Sequence, residues 1–180
     1  MDHNYNVLVS KYNIDAAIEK LGKQITKDFA GKNLIVLALA EGGLMFAMDL
    51  IWHINLPLEY YTVIAKSYGN GMESGKLDIK YFPENIIWTN KEVLIVDDIC
   101  DTGKTIARLK DYVRKVSNNN DIIIRSAVMI QNMKYVYNSE VTPDYVELFS
   151  HGEWLVGYGL DDAQKFRNLD FVGYKVIKGE

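Results

Sequence analysis

Val93-Leu94-Ile95-Val96-Asp97-Asp98-Ile99-Cys100-Asp101-Thr102-Gly103-Lys104-Thr105 decides how this chain is read. Four apolar residues, Val93 to Val96, run into the carboxylates Asp97, Asp98 and Asp101, and then into a small turn at Gly103. An apolar run of this length reads as a buried parallel strand, here Val93 to Asp97, whose carboxyl end carries acids. The turn then opens a helix predicted from Lys104 to Val116. In open α/β sheets, ligands bind in the crevice beyond the carboxyl ends of the strands. The acids and the turn stand where a ligand is expected.

The chemistry of the turn suits an anion. Thr102, Gly103, Lys104 and Thr105 put backbone N–H groups at a helix start, where they have no partner within the helix and the macrodipole adds positive charge. A phosphate fits such a place. Gly103 lets the backbone come close, and the hydroxyls of Thr102 and Thr105 add hydrogen bonds. Asp97 and Asp98 accept only, so they suit sugar hydroxyls or a hydrated divalent cation. Together the two halves fit a phosphorylated sugar. A P-loop is excluded because Asp98 stands where its first glycine belongs. A dinucleotide fingerprint is excluded because Asp162 follows Gly157 and Gly159 where a third glycine is needed. One aspartate before a helix would be a simple cap; three acids followed by T-G-K-T are more than that.

Outward from this motif, elements alternate. Asn13 to Phe29 carries apolar residues at helical spacing, with Asn13 as the expected N-cap and Gly31 as a stop. Leu34 to Leu39 is a buried strand, Glu41-Gly42-Gly43 a turn, and Leu44 to Ile54 a helix. Strands are expected at Glu59–Ser67, Ile86–Trp88, Ile122–Ile130, Tyr145–Phe149 and Phe171–Ile177, with a polar loop at Ser117–Asp121. The alternation predicts an α/β fold, a mainly parallel twisted sheet flanked by helices. At 180 residues the chain fits one domain with a sizeable core. No stretch approaches the roughly 20 apolar residues of a membrane span, so no membrane partner is expected. The first residues, Met1-Asp2-His3-Asn4-Tyr5, lack the pattern of a signal peptide. Cys100, the single cysteine, fits a reducing cytoplasm. Carboxylates around it disfavour a thiolate, so it reads as a strand-end residue rather than a nucleophile. The formal charge is -4, with basic residues scattered among acids, which argues against nucleic acid as a partner.

The pattern V-L-I-V-D-D-I-C-D-T-G-K-T resembles the signature by which type I phosphoribosyltransferases bind 5-phosphoribosyl-1-pyrophosphate (PRPP). The resemblance implies that Asp97 and Asp98 hold the ribose hydroxyls and that Asp101, Thr102, Gly103, Lys104 and Thr105 bind the 5′-phosphate. A second stretch narrows the family. Glu153-Trp154-Leu155-Val156-Gly157-Tyr158-Gly159-Leu160-Asp161, continuing to Arg167-Asn168-Leu169, is similar to the C-terminal signature of the hypoxanthine-guanine phosphoribosyltransferases. The two motifs agree in order and spacing. Alone, Trp154 would read as a core aromatic and Arg167 as a surface ion-pair partner. In this context Trp154 offers a face for a purine, and such stacking contributes about 1–3 kcal/mol. Backbone groups near Leu155 face the purine edge, and the guanidinium of Arg167 suits pyrophosphate. Asp161, with Asp97 and Asp98, is implied in the Mg²⁺ site.

Three loops complete the implied site. Ala40-Glu41-Gly42-Gly43 resembles the pyrophosphate loop, often L-K-G-G, which frequently carries a cis peptide, here at Ala40–Glu41. Glu41 replaces the usual basic residue and would repel pyrophosphate unless Mg²⁺ intervenes or the side chain points away; Gly42 and Gly43 are the safer carry-over. The Gly-rich stretch from Lys66 to Gly75 resembles a lid whose Ser67-Tyr68 pair closes over PRPP, keeping water from the reactive sugar. A lysine that bonds the purine 6-oxygen falls, by counting back from Trp154, on Met133, one position from Lys134, with Asn132 and Gln131 as alternatives. Asp101 is the implied general base for the purine N7 proton. The expected activity is purine salvage: a glycosyltransferase that joins hypoxanthine or guanine, with xanthine as a further base, to PRPP. The expected form is a homodimer or homotetramer with a core at about 13–150 and a purine-binding hood at about 151–180, built with the N-terminal segment. The alternatives are a PRPP- or nucleotide-sensing regulator and a transferase for another nucleobase.

Overall fold

The computed structural model describes residues 5–67 and 77–175. In chain order the elements are β1 (Tyr5–Val9), α1 (Lys11–Asp28), β2 (Asn33–Ala40), α2 (Gly43–Trp52), β3 (Leu58–Ser67), β4 (Leu77–Tyr81), β5 (Lys91–Cys100), α3 (Lys104–Ser117), β6 (Ile124–Asn132), β7 (Leu148–Ser150), β8 (Leu155–Val156) and β9 (Val172–Lys175). The main sheet has the order β4-β3-β2-β5-β6-β7, and every pairing in it is parallel except that of β4 with β3. None of the described helices is long and apolar enough to cross a membrane.

Both faces of the sheet are covered, and the alternation of side chains along each strand divides the core in two. Leu34, Val36 and Ala38 of β2 and Leu94 and Val96 of β5 pack with Ile14, Ile18, Leu21 and Ile25 of α1 and Phe46 and Leu50 of α2. The intervening residues, Ile35, Leu37, Val93 and Ile95, pack on the opposite face with Leu109 and Val113 of α3. Each of these Val, Leu, Ile and Phe side chains, fully buried, contributes roughly 1.5–3 kcal/mol.

The strand order places a switch point between β2 and β5. From β2 the chain crosses through α2 to β3 on one side, and from β5 through α3 to β6 on the other. The two connections diverge at the carboxyl ends of β2 and β5 and leave a crevice there. The Ala40–Gly43 loop and the Asp97–Thr105 motif both open into it.

A second sheet, order β1-β9-β8, is antiparallel and joins the two ends of the chain. It is the small hood expected from the terminal segments, although β1, β4 and β8 carry no clear signal in the sequence. Other details differ from expectation. α1 begins at Lys11, capped by Ser10, whose hydroxyl accepts the Asn13 N–H at 3.3 Å; Asn13 is inside the helix. Ile86–Trp88 is not a strand: Ile86 is buried and Trp88 stacks near Phe82, at 6.3 Å between ring centroids, while Ile87 between them is exposed. β5 runs on to Cys100, and β6 starts at Ile124. Tyr145 makes an isolated bridge to Ala127 before β7 begins at Leu148.

Candidate active site

The two acids close β5. Asp97 Oδ1 accepts the Asp98 N–H at 3.0 Å, and Asp98 Oδ1 accepts the Ile99 N–H at 2.7 Å. Burial raises the pKa of both, that of Asp97 well above the carboxylate range, where the neighbouring Asp98 charge adds to the effect. A pair of carboxylates held in this way is poised for hydroxyl donors or a cation.

Beside them lies the Ala40–Gly43 loop. Its Ala40–Glu41 peptide is cis, as the resemblance implies. A Cβ on Gly42 would stand 1.7 Å from Asp98 Oδ2, so only glycine lets the carboxylate sit against this backbone. Gly42 also meets the C-terminal tail, for a Cβ on Gly159 would lie 2.2 Å from the Gly42 carbonyl oxygen. Gly42 is thus held between the acids and the tail. Gly159 was not singled out as a site residue by the sequence; the glycines on either side of Tyr158 were the available signal.

Arg167 binds this junction together. Its guanidinium contacts Asp161 at 2.8 Å and Glu41 at 3.3 Å, and donates to the Gly159 carbonyl at 2.5 Å. Glu41, which looked misplaced in an anion loop, is therefore paired with the cation opposite. Tyr158 donates to Asp49 of α2 and fastens the same tail to the main body.

The turn after β5 leads directly into α3. Gly103 takes φ +68°, and α3 starts there with no side-chain cap. The Ser139–Val141 segment braces the turn: the Glu140 N–H donates to the Thr102 carbonyl at 2.8 Å, and a Cβ on Gly103 would stand 2.2 Å from the Val141 carbonyl oxygen. Gly103 is buried while Lys104 is exposed and Thr102 and Thr105 are partly exposed. Sequence reading had no signal for this brace. Cys100 is buried, and its thiol is pushed up to about 11 by that burial, so it remains a protonated packing residue at neutral pH.

At the other rim, Asp101 is exposed and accepts a hydrogen bond from Asn132 Nδ2 at 2.8 Å. Gln131 Nε2 donates to the Cys100 carbonyl at 2.9 Å. Both amides are thus engaged within the protein, which disfavours them as the 6-oxygen contact. Lys134 is exposed and lies against Gly152, its Cδ 2.6 Å from where a Cβ of Gly152 would stand. It therefore borders the segment that leads to Trp154, which is 65% exposed and so offers a free ring face. Leu155 is buried in β8, paired with Tyr174 of β9. Of the lid pair, Ser67 ends β3, and Tyr68 lies outside the described residues.

The donor set fits Mg²⁺, which takes one or two carboxylates together with substrate oxygens and water rather than a protein cage. Among the described residues no three acidic, histidine or cysteine side chains form such a cage, while Asp97 and Asp98 are adjacent acceptors at the crevice.

A family model, the phosphoribosyl transferase domain, matches residues 7–163. The hypoxanthine phosphoribosyltransferase of Haemophilus influenzae is 34% identical, with 98% of each chain covered. The chain belongs to the hypoxanthine-guanine phosphoribosyltransferase family. It is an enzyme of the phosphoribosyltransferase class, a glycosyltransferase by reaction type. The hypoxanthine-guanine phosphoribosyltransferase of Streptococcus pneumoniae R6 is 35% identical over 97% of this chain and 93% of its own. A crystal structure of a hypoxanthine phosphoribosyltransferase from Staphylococcus aureus superposes with a TM-score of 0.86 at 30% identity, covering 95% of this chain and 91% of that one. The enzyme therefore shares its fold with this family along nearly its whole length.

Proposed function

We propose that the enzyme salvages 6-oxopurines, joining hypoxanthine or guanine to PRPP to give the nucleoside 5′-monophosphate and pyrophosphate, with xanthine as a further base. The reading rests above all on Gly42, packed between Asp98 and Gly159, which gathers the acid pair, the glycine loop and the tail around one crevice.

In this reading Asp97 and Asp98 accept from the ribose hydroxyls, and the Thr102–Thr105 turn cradles the 5′-phosphate, with Asp101 and Lys104 at its edge. Gly42 and Gly43 turn backbone toward pyrophosphate, beside Glu41, and Arg167 supplies a cationic fork. Asp97, Asp98 and Asp161 would hold Mg²⁺, which when bound neutralises charge on the leaving pyrophosphate. Trp154 stacks on the purine, backbone near Leu155 meets its edge, and Lys134 bonds its 6-oxygen. Positive charge develops on the sugar as its bond to pyrophosphate lengthens, resembling the oxocarbenium state of glycoside cleavage. Asp101 takes the N7 proton, and its carboxylate also favours that developing charge. Ser67 and Tyr68 shield the sugar from water. We place the enzyme in the cytoplasm as a homodimer or homotetramer, its core at about 13–150 covered by the hood at about 151–180.

An assay with PRPP, Mg²⁺ and a panel of hypoxanthine, guanine, xanthine, adenine and uracil tests this. Turnover of the first two is expected. Turnover of adenine or uracil alone overturns the base class, and PRPP binding with no turnover of any base identifies a sensor instead.

A further inference from the structure

Asn132 ends β6 beside the acidic end of β5. The parallel register sets Cys100 opposite Gln131, so the next residues, Asp101 and Asn132, emerge side by side at the crevice. Asn132 is 5% exposed, and it makes two hydrogen bonds of opposite sense. Its Oδ1 accepts the backbone N–H of Lys134 at 3.1 Å, and its Nδ2 donates to Asp101 Oδ1 at 2.8 Å. A backbone N–H can only donate, so it claims the oxygen of the amide and turns the nitrogen toward Asp101. One residue earlier, Gln131 donates to the carbonyl that immediately precedes Asp101. Successive amides of β6 therefore grip first the carbonyl of Cys100 and then the carboxylate of Asp101.

We propose that Asn132 is the positioning residue for Asp101, holding one carboxylate oxygen so that the other is presented to the purine. The inference rests on the reading of Asp101 as the base. A base acts only within hydrogen-bond reach of its proton, and an exposed aspartate left unheld samples several rotamers. Because the same amide also carries the Lys134 N–H, it ties the aim of the base to the start of the turn that bears Lys134.

Asn132→Asp separates positioning from mere structure. It keeps the shape and still accepts the Lys134 N–H, but it sets a carboxylate oxygen against Asp101. The expected result is a kcat lower by about 30- to 100-fold with the KM for PRPP within about twofold, since misplacing a catalytic group by about 1 Å costs about 10²-fold. Asn132→Ala should lose kcat comparably and also lower Tm. A purely structural role reverses the order: N132D then matches the unmodified enzyme and only N132A suffers, which overturns the proposal. An equal loss in PRPP affinity for N132D also overturns it. Should N132D not fold, Asn132→Leu decides, a lowered kcat at unchanged PRPP KM supporting the proposal and an unchanged kcat refuting it. Asp101→Asn serves as the reference. If D101N turns over normally, the base assignment falls and the proposal with it; if D101N is slow while N132D is normal, the proposal alone falls.

Discussion

Gly159 and Gly42 meet backbone against backbone, so close that a Cβ on the first would stand 2.2 Å from the carbonyl oxygen of the second. Gly159 also takes φ +99°. Gly159→Ala therefore meets both a clash and a strained conformation, the latter costing about 1–3 kcal/mol. The tail must retreat from the loop and take Arg167 with it. We expect kcat/KM for PRPP to fall by at least about tenfold and Tm to drop by about 2–4 °C per kcal/mol lost. Steady-state kinetics beside a melting curve checks both; unaltered kinetics would mean that the contact is dispensable.

The Glu41–Arg167 pair predicts a gain from a loss. Glu41→Gln removes an acid from the loop proposed to face pyrophosphate, while Arg167 keeps Asp161 at 2.8 Å. Glu41 is 62% exposed on its side chain, so solvent screens much of its charge. The KM for PRPP should fall by about two- to fivefold at low ionic strength, and the difference should shrink with added salt. A KM that rises would show that Glu41 aids binding.

Asp97 and Asp98 set a pH dependence. Their folded pKa values are raised by burial, so the native state binds more protons than the unfolded chain above the ordinary carboxylate value of 3.8. Stability of the metal-free enzyme should then decline as pH rises from that value, until the folded carboxyls have ionised as well. Asp97→Asn removes part of this penalty. In chelator-containing buffer its Tm advantage over the unmodified enzyme should widen from pH 4 upward, while PRPP binding is lost. Parallel melting curves across pH would contradict this.

Tyr158 couples tail to body through Asp49. Burial and that hydrogen bond hold its phenol proton in place well beyond neutral pH. Tyr158→Phe leaves the Asp49 carboxylate without this donor and should lower stability by about 1–2 kcal/mol. Denaturant titration would register the loss, with PRPP turnover retained at temperatures well below the melt.

The parts of the fold governed by local periodicity were legible. β2, β5 and α3 announce themselves because each is buried along a regular face, and the acids of β5 announce a ligand because nothing in a packed core requires them. What depends on distant partners was not legible. Among the described residues β1 pairs with β9, Tyr5 opposite Lys175, so its place in a sheet depends on residues far along the chain. The same holds for the site. The Asp97–Thr105 motif is contiguous and could be read directly, but the contact of Asn132 with Asp101 follows from the register of two parallel strands. Glu41 looked discordant because Arg167, its partner, stands 126 residues away. Ile86–Trp88 misled for the opposite reason, since the apolar character of Ile86 and Trp88 serves packing under α3 rather than a pleat.

The order β1-β9-β8 makes β9 the central strand of the hood. Until residues 172–175 have left the ribosome, neither β1 nor β8 has an edge to join. A nascent chain can thus assemble the layered body before residues 172–175 emerge, whereas the three-stranded sheet closes only after them.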